Sequence, residues 1–196
     1  MRYHPDIHHR RSIRLKDYDY SQAGAYFITI CTKNRECLFG SIVNGEMLLS
    51  AWGVIVKNEW LRTSIIRPNI VVDEFVLMPN HLHGILVIVD TDCRGTLQRA
   101  PTVERFGKPT SNSIPTIVRL FKSTATKQIN ELRKTPGEPL WQRNYYERII
   151  RNERELERIR KYVINDPLKW SLDIEDPERQ KDYQNTAEYF KRMFEE

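Results

Sequence analysis

The chain has 196 residues, 40% of them hydrophobic and 29% charged, with 8 glycines and 10 prolines. That make-up excludes collagen-like, mucin-like and wholly disordered proteins and suits a domain with a core of its own. The net charge of +5 is unevenly spread: residues 91–135 carry nine lysines and arginines against three acids, residues 141–170 eight against five, and residues 171–196 four against eight. A basic middle closed by an acidic tail fits a surface that holds a polyanion, and also fits a merely solvated face.

No run approaches the roughly 18 apolar residues that cross a bilayer. The opening Met1-Arg2-Tyr3-His4-Pro5-Asp6 has no apolar stretch of the secretory kind, so no membrane association is expected. Cys31, Cys37 and Cys93 form no C-x-x-C pair, which argues against a disulfide framework or a thiolate zinc site and for a reducing, cytoplasmic setting. His4, His8 and His9 match no common zinc spacing with those cysteines.

Residues 1–22, with Arg10, Arg11, Arg14 and Lys16, read as a basic N-terminal arm, and residues 23–170 as the functional domain. Ala25 to Thr32 is rich in β-branched and aromatic residues and predicts a largely buried strand. Asn44-Gly45 between short apolar segments predicts a small hairpin over Ser41–Leu48. Behind Ser50, a plausible N-cap, Trp52, Ile55, Val56 and Trp60 recur at helical spacing and predict a helix over 50–63. Ile70–Met78 and His81–Val89 predict two strands joined at Pro79-Asn80, the second apolar on both faces and so central.

Residues 91–112 lack any period and predict a long loop. Ser113 and Pro115 open a helix whose stripe is Ile114, Ile117, Val118, Phe121, Ala125, Ile129 and Leu132. The segment Trp141–Ile150 leads to Asn152-Glu153-Arg154-Glu155, a capping pattern, and to a helix reaching Asn165, broken by Asp166-Pro167. The tail, residues 171–196, is acidic, with a short helix expected around Ala187–Phe194. Strand, hairpin, helix, strand, strand, helix, helix, with no repeat, predicts an α+β, ferredoxin-like sandwich: a mainly antiparallel sheet with helices on one face.

Three features carry candidate chemistry. His81-Leu82-His83 opens the central strand, where the period of two puts both imidazoles on one face about 6–7 Å apart, within reach of one metal ion. Two histidines satisfied at a sheet end would read the same. Tyr162 and Asp166 lie about 40° apart on a helical wheel, along one edge of the stripe Leu156, Ile159, Val163, so a phenol and a carboxylate could be presented together. A boundary tyrosine and a helix stop would look alike. Trp141, Arg143, Tyr145, Tyr146, Arg148 and Arg151 interleave aromatic and basic groups, the mixture that stacks bases and holds phosphates, although aromatics beside a sheet also pack.

Met78-Pro79-Asn80-His81-Leu82-His83-Gly84, Trp141-Gln142-Arg143 and Tyr162 to Pro167, in that order, resemble the HUH single-tyrosine transposases, including the REP-associated tyrosine transposases. The resemblance runs from Ala25 to Trp170. It implies a divalent metal, Mg²⁺ or Mn²⁺, on His81, His83 and Asp166, and Tyr162 as the nucleophile that cuts single-stranded or hairpin DNA through a 5′-phosphotyrosine. Many relatives carry an amide where this chain has Asp166, so Asn165 is the rival third ligand. Arg119, Lys122, Lys127, Trp141, Arg143, Tyr145, Arg148 and Arg151 are the expected DNA contacts. Which group takes the phenol proton stays open, as does a homodimer, since some relatives share the site between subunits. A non-mobile hairpin-processing protein or a single-stranded DNA-binding module is the alternative.

Overall fold

The computed structural model describes residues 15, 18–90, 110–172 and 190. Most of the basic arm, residues 91–109 of the expected loop, and the acidic tail from residue 173 with its terminal helix lie outside the described residues, Phe190 excepted.

In chain order the elements are β1 (Gly24–Cys31), the hairpin β2 (Gly40–Val43) and β3 (Glu46–Leu49), α1 (Ala51–Ile66), β4 (Ile70–Leu77), β5 (His81–Ile88), α2 (Ile114–Arg133), β6 (Tyr146–Ile150) and α3 (Glu153–Asn165). A 3-10 turn over Pro167–Leu172 follows. The main sheet runs β4-β5-β1-β6, every neighbouring pair antiparallel. It is the α+β, ferredoxin-like arrangement expected.

Local chemistry explains the boundaries. The hairpin turns on Asn44 and Gly45, both at positive φ (53° and 79°), as a two-residue turn of matching twist requires. The Ser50 hydroxyl accepts from Gly53 N at 3.1 Å and caps α1. Asn152 caps α3 by accepting from Glu155 N at 2.9 Å, while Glu155 reaches back to Arg151 N at 2.9 Å, one residue before the cap. Lys134, in the left-handed region, ends α2.

Alternation along the strands divides the core in two. Tyr26, Ile28 and Ile30 of β1 and Leu82 and Leu86 of β5 meet Val56 and Trp60 of α1 and Ile117, Val118 and Phe121 of α2 on one face. Phe27 and Ile85 point to the other face, where Ile159 and Val163 of α3 and Phe190 cover them. Helices on one face therefore describes α1 and α2. The third helix packs on the opposite side, where its stripe and Phe190 cover the odd-numbered residues Phe27 and Ile85. Gly84 leaves room for Trp60, whose Cζ2 would lie 2.6 Å from a Cβ placed there.

Two further sequence expectations are corrected. Tyr146–Ile150 is a fourth main-sheet strand, β6, pairing with β1 from Ala25↔Ile150 to Thr29↔Tyr146. Its mixed Tyr-Glu-Arg-Ile-Ile composition hides it, since an edge strand needs only half its pattern buried. Leu132, assigned to the buried stripe of α2, is 61% exposed, and the last buried position of that helix is Asn130.

Candidate metal and tyrosine site

The site lies on the α3 face of the sheet, at the end where β5 begins. His81 and His83 share that face by the period of two, and both are completely buried. Asp166, the residue after α3, is 2% exposed and brings its Oδ2 to 3.6 Å from His81 Nε2 and 3.8 Å from His83 Nε2. The three ligand atoms lie within 4.8 Å of one another. Two ligands on one ion, each at about 2.1 Å and at 90–110°, stand about 3.0–3.5 Å apart, so the two histidine–aspartate distances need shifts of a few tenths of an ångström and the widest separation needs about an ångström or more to close on a cation. Asn165 goes elsewhere: its Nδ2 donates to Lys161 O at 2.7 Å, along the helix's own backbone. Of the two candidate third ligands, the fold brings Asp166 to the histidines.

Residues outside the ligand set hold the imidazoles. Asn80 Nδ2 donates to Arg35 O at 3.1 Å, which turns Asn80 Oδ1 toward His81 Nδ1, 2.9 Å away. That nitrogen therefore bears the proton, and the Nε2 lone pair faces Asp166. Thr29 stands opposite His83 in the β1–β5 register, and its Oγ1 lies 2.7 Å from His83 Nδ1. Two lone-pair nitrogens converging on one carboxylate in a dry site fit a divalent cation by donor chemistry.

Tyr162, one turn before Asp166, completes the arrangement. Its hydroxyl is 3.0 Å from His83 Nε2, and its ring sits edge-on to Phe27 and Phe190 at 6.1 and 5.7 Å. Arg160 on the same helix donates from Nη2 and Nε to both oxygens of Asp73 on β4, at 2.6 and 3.1 Å. Asp73 is aimed there by a bulge between Val72 and Phe75. The arginine's hydrogen bond holds the Asp73 carboxyl below its ordinary range. Trp170, in the 3-10 turn, lies 5.9 Å from the His81 ring.

The expected DNA contacts divide into two groups. Lys122, Lys127, Trp141 and Arg143 line one cleft of about 730 Å³ between α2 and residues 136–143. On its wall, Gln142 N donates to Cys31 O at 2.9 Å, and Cys31 pairs with His81 across β1 and β5. Arg143 and Lys127 are exposed there, Lys127 3.9 Å from Glu131. Lys122 turns inward, donating to Gln142 O at 2.6 Å and Arg143 O at 3.2 Å, and burial pulls its pKa down to about 8.

Trp141 offers no ring face to a base. It is 6% exposed, between Phe39 and Phe121 at 5.1 and 5.6 Å, because its backbone extends the sheet beside Thr32. Tyr145 is half-buried against the same core. Arg119 is exposed on α2 and Arg151 beside the α3 cap, whereas Arg148 is bound to Glu155 at 2.7 Å. Sequence reasoning passed over Thr29, Asn80 and Trp170. Asn80 could have been found from its place beside His81, but Thr29 is visible only once the β1–β5 register is known.

No helix among the described residues is long and apolar enough to cross a membrane. No protein-family model matches the chain. Among solved structures, a REP-associated tyrosine transposase bound to a REP hairpin is similar, with a TM-score of 0.56 and 16% identity, covering 84% of this chain and 76% of that one; at that identity the likeness is one of fold. A candidate transposase from Deinococcus radiodurans gives a TM-score of 0.43 at 16% identity, over 78% of this chain and 97% of that one. In sequence, an uncharacterized protein of Haemophilus influenzae is 46% identical over 176 residues, which span 88% of this chain and 96% of the relative. Identity at that level over most of both chains makes this protein a member of the same family as the Haemophilus influenzae protein.

Proposed function

We propose that this protein is a metal-dependent DNA nickase and strand transferase of the tyrosine-transposase kind, acting on single-stranded or hairpin DNA. The observation that carries the proposal is the Tyr162 hydroxyl 3.0 Å from His83 Nε2, at the edge of the buried His81, His83 and Asp166 set. The fold shared with a transposase whose structure holds a REP hairpin supports it.

In the first step the Tyr162 oxygen attacks phosphorus. A phenolic O–P bond forms, the P–O3′ bond breaks, and the proton lost by the phenol is balanced by the one gained at the released 3′ oxygen. The product is a 5′-phosphotyrosine and a free 3′-hydroxyl, and attack by another strand's 3′-hydroxyl reverses the exchange without ATP. A divalent ion held by His81, His83 and Asp166 would supply charge stabilisation at the phosphate oxygens. Imidazole ligands favour Mn²⁺ over Mg²⁺, which binds best to oxygen alone. Arg143, Lys127 and Arg119 would take phosphates along α2 and its cleft, and Arg151 beside α3, making binding strongly salt-dependent.

The test is covalent capture. Protein incubated with Mn²⁺ and a pool of single-stranded and hairpin oligonucleotides should give an SDS-resistant DNA adduct. That adduct should disappear with Tyr162→Phe and His83→Ala and persist with Tyr145→Phe and Tyr146→Phe. Salt-sensitive DNA binding with no adduct under any metal would overturn the enzyme reading and leave a binding module.

A further inference from the structure

We infer that Tyr162 and the divalent cation compete for one lone pair, that of His83 Nε2, so that the hydroxyl proposed as nucleophile also sets the protein's affinity for its metal. The inference rests on the metal reading above. A neutral imidazole has one N–H and one lone pair. His83 Nδ1 is 2.7 Å from Thr29 Oγ1 and Nε2 is 3.0 Å from the Tyr162 hydroxyl. With the proton on Nδ1 donated to Thr29, the lone pair at Nε2 accepts the O–H of Tyr162. Ligation needs that same tautomer and that same lone pair, so binding a cation costs the phenol this hydrogen bond.

The ring cannot turn aside to serve both. His83 is completely buried, stacked on Phe27 at 5.4 Å and 29°, edge-on to Phe190 at 5.5 Å, and tied to Thr29 at its other nitrogen. Tyr162 is hemmed by the same Phe27 and Phe190, and its helix is anchored to β4 through Arg160 and Asp73. The hydroxyl therefore stays beside the ligand atom after losing its bond. It is directed at imidazole in the metal-free protein and released for a phosphate when the ion is in place. Thr29 acts as a positioning residue, holding the ring by Nδ1 so that Nε2 faces both partners.

A neutral hydrogen bond of ordinary net strength is equivalent to about a three- to tenfold change in a binding constant. Calorimetric titration of Mn²⁺ into the full-length protein and into Tyr162→Phe, with no DNA present, tests this. The phenylalanine keeps the ring packing and removes only the competing hydroxyl, so Tyr162→Phe should bind Mn²⁺ about three- to tenfold more tightly. Equal affinities would overturn the competition, and weaker binding would do so by making the phenol oxygen a ligand. If neither protein binds Mn²⁺, or binding survives in His81→Ala and Asp166→Ala, the metal reading itself falls and this inference with it.

Discussion

The attachment of the tyrosine helix to the sheet can be measured through Arg160 and Asp73. α3 is held by Leu156, Ile159 and Val163 against Phe27 and Ile85, and by the two-pronged bond from Arg160 to Asp73 at 2.6 and 3.1 Å. The side chains are 30% and 15% exposed, so the pair is screened less than a surface pair, for which about 0–1 kcal/mol is usual. Removing Asp73 does not strand the guanidinium, because Glu157 Oε1 lies 2.8 Å from Nη1, and the roughly 3–5 kcal/mol cost of a broken buried pair does not apply. Two charge-assisted bonds in this setting give a coupling of about 1–2 kcal/mol. A double-mutant cycle of Asp73→Ala and Arg160→Ala by urea unfolding at neutral pH measures it.

Acid supplies a second check on the same pair. The Asp73 carboxyl is held below its ordinary value by Arg160. Its contribution is fully present above the unfolded pKa and is lost as pH falls through the lower folded value. The coupling should therefore shrink between about pH 5 and pH 2. A coupling below about 0.5 kcal/mol at neutral pH, or one that grows in acid, would show that apolar packing alone holds the helix.

Other substitutions probe the two faces separately. Asn80→Ala removes the acceptor that orients His81 and should weaken Mn²⁺ binding by about 10- to 100-fold in a calorimetric titration, the usual effect of losing a ligand's supporting bond; unchanged affinity would remove His81 from the metal set. Gly84→Ala drives a Cβ to 2.6 Å from the Trp60 ring and should cost about 1–3 kcal/mol of overpacking, seen as a thermal midpoint lowered by several degrees. A wild-type midpoint there would mean that Trp60 is free to move.

Most elements of the fold could be read from local signals, and each has a local cause. Asn44-Gly45, Ser50 and Asn152 mark turns and caps whose hydrogen bonds close within a few residues. His81-Leu82-His83 and the Tyr162–Asp166 spacing needed only the periods of strand and helix. The readings that changed involve partners far along the chain. β6 exists because Tyr146–Ile150 finds the open edge of β1, and its own five residues scarcely announce it. Trp141 looked like a stacking platform until Thr32 drew its backbone alongside β1 and folded the ring between Phe39 and Phe121. Lys122 looked like a phosphate contact, and its ammonium instead donates to the carbonyls of Gln142 and Arg143.

The chemistry of the site was thus written in residue order, while its assembly came from packing. The sequence by itself determined that two imidazoles share one strand face and that a phenol and a carboxylate share one helix edge, because backbone periods project side chains without reference to any other element. Only the folded chain selected Asp166 over Asn165, set Thr29 and Asn80 behind the histidines, and brought the Tyr162 hydroxyl to His83. Those choices rest on strand register and on how far α3 slides across β4 and β5, distances settled by the joint burial of Phe27, Ile85, Ile159 and Val163, which no single segment encodes.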